Sequence, residues 1–332
     1  MQVVVLAGGV GSRLSPWTNK MPKPLLQMLD MSLLERVVEG VPSELVDEVV
    51  VAGGYKVDMI EEYFKNADVD FDVRIVNENK PLGTGGALGN CKDVVSGRFA
   101  CFNGDIVSSL QIEPLLELHK SNGGVGSLAL WEVEDPTRFG IVGLDENSRI
   151  TQFKEKPKPE EVFSNLINAG SYIFEEDIFD YMPEGKHSIE REVFPRLAEE
   201  KLLNGQQFEG YFLDAGTPSA WSDAVYRCIK EKRFNRGMVK GSSWYGSADN
   251  QFSEKVTESM IETNVEVSNS QIHRSTLLEG TVVGKDSVIE SSLIGNKVTI
   301  GSNVKFKDVV VDHGSVIPNE PIQVGGQWPP KE

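Results

Sequence analysis

From Ile272 to Ile317 a large apolar residue returns every five or six positions: Ile272, Leu278, Val283, Ile289, Ile294, Ile300, Phe306, Val311 and Ile317. Neither the helix period of 3.6 nor the strand period of 2 generates that spacing. A chain that turns a corner about every six residues, with one apolar side chain pointing inward at each, does generate it. Stacked coil upon coil, such a chain is a left-handed parallel β-helix of hexapeptide repeats. Small residues follow several of these positions, as in Val283-Gly284, Ile294-Gly295 and Ile300-Gly301. A small antiparallel sheet with regular turns is the alternative, and so long a register speaks against it. A β-helix domain is expected over 241–332. Its closing segment, Pro318 to Glu332, leaves the register as a cap or tail would.

The first two thirds of the chain have a different texture. Val3-Val4-Val5-Leu6-Ala7 is a continuous β-branched and aliphatic run, the mark of a strand covered on both faces. Similar runs recur at 49–52, 73–76, 99–102 and 126–130. Helix-period stretches lie between them, for example Ser32 to Gly40 and Val57 to Asn66. The alternation predicts an α/β fold, a Rossmann-like and mostly parallel sheet with helices on both faces, over 1–235. A helix from Ser219 to Lys232 would close that domain. A chain of 332 residues accommodates both domains.

Charge narrows the partners. With 33 basic and 50 acidic side chains the net charge is −17, which excludes nucleic acid as a bulk partner because phosphate backbones need a basic surface. The opening Met1–Gly9 is apolar but short and runs into glycines, unlike a signal peptide. No apolar run approaches the ~18 residues of a membrane span. Cys91, Cys101 and Cys228 lie far apart with no paired spacing, as buried thiols in a reducing compartment do. A cytoplasmic protein is expected. Neither the four histidines nor any Ser-His or Cys-His pair offers a nucleophile with its base.

In an open parallel sheet ligands bind beyond the carboxyl ends of the strands, which directs attention to the loop after the first one. It contains Gly8, Gly9 and Gly11, where the absence of a Cβ lets backbone N–H groups approach a phosphate. It matches neither the dinucleotide fingerprint nor the P-loop. Residues 1 to 29 contain no Asp or Glu, where the chain average would place about four, yet they contain Arg13, Lys20 and Lys23. An acidic chain that clears negative charge from one loop suits a polyphosphate there. Asp105 and Asp214 follow apolar runs at strand ends, and two such carboxylates can hold Mg²⁺, a hard cation that takes one or two of them. A helix cap or turn is the competing role for each.

The blocks Leu6-Ala7-Gly8-Gly9-Val10-Gly11-Ser12-Arg13-Leu14-Ser15-Pro16 and Met21-Pro22-Lys23-Pro24-Leu25 resemble the signature of the sugar-1-phosphate nucleotidylyltransferases. The likeness continues in order through 81–87, 102–105, 153–157, 168–170, 188–195 and 212–218. Blocks 81–87 and 188–195 look most like the mannose-1-phosphate guanylyltransferases. The resemblance implies transfer of a nucleotidyl group from a nucleoside triphosphate to a sugar 1-phosphate, with release of pyrophosphate. It assigns Leu6, Ala7, Gly8, Gly9, Gly11, Ser12, Arg13, Lys23, Leu82, Gly83 and Thr84 to the nucleotide. Gly140, Glu155, Lys156 and Asn168 go to the sugar phosphate, and Asp105 and Asp214 to Mg²⁺. Arg13, Lys23, Asp105 and Asp214 form the catalytic set.

Independently of the resemblance, alternating charges in Phe153–Pro157 on an extended segment would put Lys154 and Lys156 on one face. Glu190 and Glu192 fit either a sugar site or a helix start. Three alternatives stay open at this level: glucose 1-phosphate with UTP or dTTP, a regulatory relative that binds nucleotide sugar without catalysis, and a bifunctional enzyme whose β-helix transfers acyl groups, against which the shortness of that domain speaks. A homo-oligomer assembled through the β-helix is expected.

Overall fold

In the computed structural model, which describes residues 1–250 and 254–330, the first run becomes the strand Gln2–Leu6 in the middle of a nine-stranded sheet. Val3, Val4 and Val5 are fully buried there. Their β-branched side chains are stiff at χ1 and pack well against a pleated surface. The strand pairs in parallel with Glu48–Gly53 on one side and with Phe99–Asn103 on the other. Asp72–Asn77 extends the first side, again in parallel.

Beyond Phe99–Asn103 the sheet changes sense. Leu166–Phe174 pairs antiparallel with it, with Gly126–Glu132 and with Gly140–Leu144. The sheet is thus mixed, half parallel and half antiparallel. An apolar run signals burial on both faces but not strand direction, so Gly126–Glu132 looked like the others in sequence. The order of strands reverses about Gln2–Leu6, which puts the topological switch point at the end of that strand, where the glycine loop starts.

The helices form close to their expected bounds, at Leu33–Val38, Val57–Asn66 and Pro218–Lys230. The last starts on Thr217, whose hydroxyl accepts the Ala220 N–H at 3.3 Å, with proline in the first turn. Val57–Asn66 turns Val57, Ile60 and Phe64 inward, the 3–4 spacing of an amphipathic helix. Among the described residues no helix is long and apolar enough to cross a membrane.

The apolar period of the C-terminal region closes into a parallel β-helix of three sheets, one per side. Ile272, Ile289 and Phe306 stack along one side, Leu277, Ile294 and Val311 along the second, and Val283, Ile300 and Ile317 along the third. Leu277, rather than the expected Leu278, fills the inward position. Each coil turns its corners on residues with positive φ: Glu258, Arg274, Ser291 and Asp308 in one column, Asn264, Gly280, Lys297 and Gly314 in another.

Pairing continues past Pro318, with Phe306 beside Gln323 and Val311 beside Trp328. The β-helix therefore runs a coil further than the aliphatic period reveals, because Gln323 and Trp328 stand at the next two stations. Lys331 and Glu332, the end of the expected tail, lie outside the described residues.

By contacts the chain forms two compact units, Met1–Gly9 with Leu34–Phe212, and Val10–Leu33 with Leu213–Glu332. The segment carrying Gly11, Arg13 and Lys23 thus belongs to the unit that holds the β-helix.

Candidate active site

Within the first unit the strand Gln2–Leu6 hands over to Ala7, whose N–H bonds to Ala52 O at 2.7 Å, and then to Gly8 and Gly9. Asp105 is reached from the neighbouring strand through Gly104, whose N–H bonds to Leu6 O at 3.0 Å. A Cβ at Gly104 would lie 2.8 Å from that carbonyl, so only glycine lets the two strand ends approach. The carboxylate-bearing turn and the start of the glycine loop are neighbours.

The third strand end supplies a residue that the motifs did not single out. Glu78 follows Asp72–Asn77 and is held by its own N–H, which bonds to Gly53 O at 2.9 Å. Its side chain is only 7% exposed. Oε2 accepts the Leu82 N–H at 3.1 Å, whereas Oε1 is buried without a hydrogen-bond partner among the described residues. A Cβ on Gly8 would come within 2.8 Å of Oε1, so this oxygen lies along the glycine loop. A buried acceptor left unmade costs roughly 1–3 kcal/mol. Such a group asks for a donor that the described residues do not supply.

Leu82, Gly83 and Thr84 enter the helix Gly83–Gly89. Gly83 has φ +75°, and a Cβ there would lie 2.5 Å from His187 O. The His187 carbonyl also accepts the N–H groups of Gly85 and Gly86, at 3.2 and 3.3 Å. Thr84 Oγ1 donates to Glu190 Oε2 at 2.5 Å, and Ser188 Oγ donates to the same oxygen at 2.6 Å. Glu192 instead accepts the Ser188 N–H at 3.2 Å. The two glutamates that sequence left undivided have separate roles: Glu192 closes a helix start, and Glu190 faces the site.

Glu190 is also close enough to act on Glu155. Burial first, then the charge of Glu190, hold the Glu155 carboxyl above its ordinary range, against the smaller pull of Lys156 and Arg191. Gly140 pairs with Glu155 across the strands, and a Cβ there would sit 2.5 Å from the Phe153 ring and 2.9 Å from Glu155 Oε2. Asn168 donates to Tyr172 OH at 2.9 Å and accepts the Gly170 N–H at 3.1 Å. Burial and the charge of Glu190 raise the Tyr172 phenol well above its usual value, which keeps it neutral. Thr84, Gly140, Glu155, Asn168 and Glu190 therefore belong to one polar cluster.

The expected shared face of Lys154 and Lys156 does not form. The extended run ends at Glu155, and Lys156 turns left-handed with φ +46°. Lys154 Nζ pairs with Glu161 at 2.8 Å, whereas Lys156 Nζ lies 3.6 Å from Glu155.

In the second unit, Gly11 takes φ +68° and starts the single turn Ser12–Leu14. Arg13 in that turn is exposed, whereas Lys23 is 7% exposed, with its Cβ packed toward Gly11. Gly216 forms a floor for two of the expected residues: a Cβ there would meet Arg13 Nη2 at 2.6 Å and Asp214 Oδ1 at 2.7 Å. A guanidinium and a carboxylate thus converge on one glycine.

His119 stays out of this chemistry. His119 is buried between Ser127 and Glu175, and burial lowers its pKa. All three cysteines are buried and free. Burial pushes the Cys91 thiol up to about 12, which removes its nucleophilic thiolate at neutral pH.

A family model described as nucleotidyl transferase matches residues 2–231, and one described as GlmU-like, C-terminal hexapeptide matches residues 245–327. Mannose-1-phosphate guanylyltransferase catalytic subunit beta of Dictyostelium discoideum is 34% identical over 66% of this chain, and the alignment spans 62% of that protein's length. Mannose-1-phosphate guanyltransferase of Saccharomyces cerevisiae is 32% identical over 75% of this chain and 71% of its own. Among solved structures, HddC from Yersinia pseudotuberculosis complexed with GMP-PN is 29% identical, covers 70% of this chain and 99% of its own, and has a TM-score of 0.56.

Proposed function

The chain belongs to the nucleotidyl transferase family, and from that premise we propose that it makes GDP-mannose from GTP and mannose 1-phosphate in the cytoplasm, as a homo-oligomer. The sugar-phosphate oxygen attacks the α-phosphorus in line, a new P–O bond forms there, and the bond to the β-phosphate oxygen breaks to release pyrophosphate. The attacking oxygen is already anionic. The protein's task is positioning and charge neutralisation rather than proton removal.

The observation that carries the choice of base is the buried, unpartnered Oε1 of Glu78 beside Gly8. The Watson–Crick edge of guanine offers two adjacent donors, N1–H and N2–H, which a carboxylate accepts together. Uracil and thymine offer a single N–H flanked by carbonyls that a carboxylate repels. Adenine and cytosine place an acceptor nitrogen beside their one amino group. The likeness to guanylyltransferases and to a protein solved with GMP-PN supports the same choice.

Leu6, Ala7, the amides of Gly8, Gly9 and Gly11, Ser12, Arg13 and Lys23 bind the triphosphate in this reading, while Leu82, Gly83 and Thr84 receive the base and ribose side. Glu155 and Asn168 accept and donate to sugar hydroxyls, Gly140 leaves room for them, and Lys156 meets the sugar phosphate. A bound divalent ion supplies further neutralisation of the phosphates. Asp105 and Asp214, each a hard oxygen donor at a strand end, are the residues that would hold it, and carboxylate oxygens are the ligands Mg²⁺ takes. Val316, Ile322 and Val324 on the last coils are more than 70% exposed, which supports association through the β-helix.

The test is pyrophosphate release across four nucleoside triphosphates against mannose, glucose, galactose and N-acetylglucosamine 1-phosphates, with and without excess chelator. GTP with mannose 1-phosphate should give the highest kcat/KM, and chelation should abolish it. A higher value for glucose 1-phosphate with UTP or dTTP would overturn the substrate pair. No release from any pair would overturn catalysis itself.

A further inference from the structure

Trp17 is one of the side chains that join the segment after the glycine loop to the β-helix. Trp17 is fully buried in the short helix Trp17–Lys20. Its indole N–H donates to Val311 O at 2.9 Å, a carbonyl that also accepts the inter-coil bond from Gly295 N at 3.1 Å. The ring stacks on His313, with centroids 5.8 Å apart and planes 23° from parallel. His313 is fixed in turn, its Nδ1 accepting the Asn296 N–H at 2.9 Å. Lys20 Nζ reaches Asp312 at 2.9 Å.

The next residue carries this anchor into the loop. Thr18 Oγ1 donates to Gly11 O at 3.0 Å, and that carbonyl also accepts the Leu14 N–H at 2.9 Å. The Thr18 methyl stands 2.9 Å from where a Gly11 Cβ would be. Gly11 is thereby held in the left-handed conformation that starts the turn bearing Arg13. Ser12 and Arg13 also line an open cleft of about 480 Å³ together with Gln323 and Gln327 of the last coil.

We propose that the coil at Val310–His313 is part of the nucleotide-binding apparatus, and that Trp17 is a positioning residue which sets the Gly11–Arg13 turn for the triphosphate. This rests on the reading that the turn binds GTP phosphates. It gives the β-helix a role in substrate binding beyond assembly. Residues some 290 positions away in sequence then govern one substrate and not the other.

The experiment compares Trp17→Phe, which keeps a ring and loses the N–H, with His313→Ala, which lies in the β-helix outside every site motif. Both are assayed in the full chain for KM of GTP, KM of mannose 1-phosphate, kcat and Tm. A lost neutral hydrogen bond that acts only through the loop predicts a rise of about fivefold in the KM for GTP. The KM for mannose 1-phosphate should stay within about twofold. His313→Ala should move the same constant in the same direction, and it tests the proposal even where Trp17→Phe fails to fold. Unchanged KM values, or equal rises for both substrates alongside a fallen Tm, would overturn the proposal and leave the proposed function standing. A wild-type chain inert to every pair would overturn both.

Discussion

In the β-helix, Ser243, Ser259, Ser275 and Ser292 stand one coil apart, fully or almost fully buried. Each hydroxyl accepts the backbone N–H of its successor, and Ser292 that of Val309, every bond 3.1 Å long. In the α/β unit, Glu78 and Asn103 also present buried oxygens, and Glu78 Oε1 and Asn103 Oδ1 have no donor among the described residues. The serine column repeats with the coil and is satisfied by the coil. The strand-end oxygens follow no period and are left for something else. The serines show buried polar atoms that serve the fold by recurring with its repeat, whereas Glu78 Oε1 lies beside the glycine loop with no such partner among the described residues.

The comparison is put under most strain at Arg13. Arg13→Ala should lower turnover by about 10²-fold or more, the cost of a preorganised transition-state donor, with Tm unchanged because the side chain is exposed. Steady-state kinetics beside a melting curve checks this. Near-normal turnover would remove Arg13 from the site.

Glu78→Gln comes next. An amide keeps the size of the group but offers one acceptor where guanine needs two, so kcat/KM for GTP should fall by about 10- to 100-fold. Discrimination against UTP should narrow, because the carboxylate's repulsion is gone. A GTP preference that survives intact would make Glu78 a structural residue like the serines.

The serine column sets the opposite expectation. Ser275→Ala leaves the buried Ser292 N–H without its acceptor and should cost about 1–2 kcal/mol of stability, read as a lower Tm or denaturant midpoint. Substrate constants should not move. A change in KM without a change in stability would break the contrast from its other side.

The smallest effect concerns Glu155. Its pKa is raised in the folded state, so the folded carboxyl holds its proton more tightly than the unfolded one, and ionisation costs stability at neutral pH. That cost vanishes below the unfolded value. Glu155→Gln should therefore raise Tm by about 1–2 °C at pH 7 and give no gain near pH 4. Melting curves at the two pH values settle the sign. Binding of the sugar phosphate should weaken in the same variant.

How much of this was legible beforehand follows from the same contrast. The β-helix announced itself because its core positions are apolar and spaced by geometry, and the inward residues missed include the earlier coils at Val256 and Ile261, Leu277, adjacent to another leucine, and the two at Gln323 and Trp328, where the pattern stops being aliphatic. The glycine loop was visible as missing negative charge. Glu78 was not, since one glutamate in an acidic chain is silent until burial singles it out. The partition between Glu190 and Glu192 was equally hidden, because it depends on which one meets Thr84 across more than a hundred residues. Strand direction beyond Phe99–Asn103 was out of reach for a similar reason: covered strands look alike whichever way they run.

The corners of the β-helix have a consequence for protein engineering. A repeating domain is its own alignment: one column of corners reads Asn264, Gly280, Lys297, Gly314, all with positive φ. Glycine and asparagine adopt that conformation at little steric cost, and lysine does not. The chain thus states its own consensus, and Lys297→Asn is the edit it suggests. Gains of this kind are of order 0.5 kcal/mol each. Ser291 in the neighbouring column offers the same opportunity, whereas Glu258 and Arg274 are held there by their own ion pair at 2.8 Å, so a hardened version of the domain can be drafted from a single sequence.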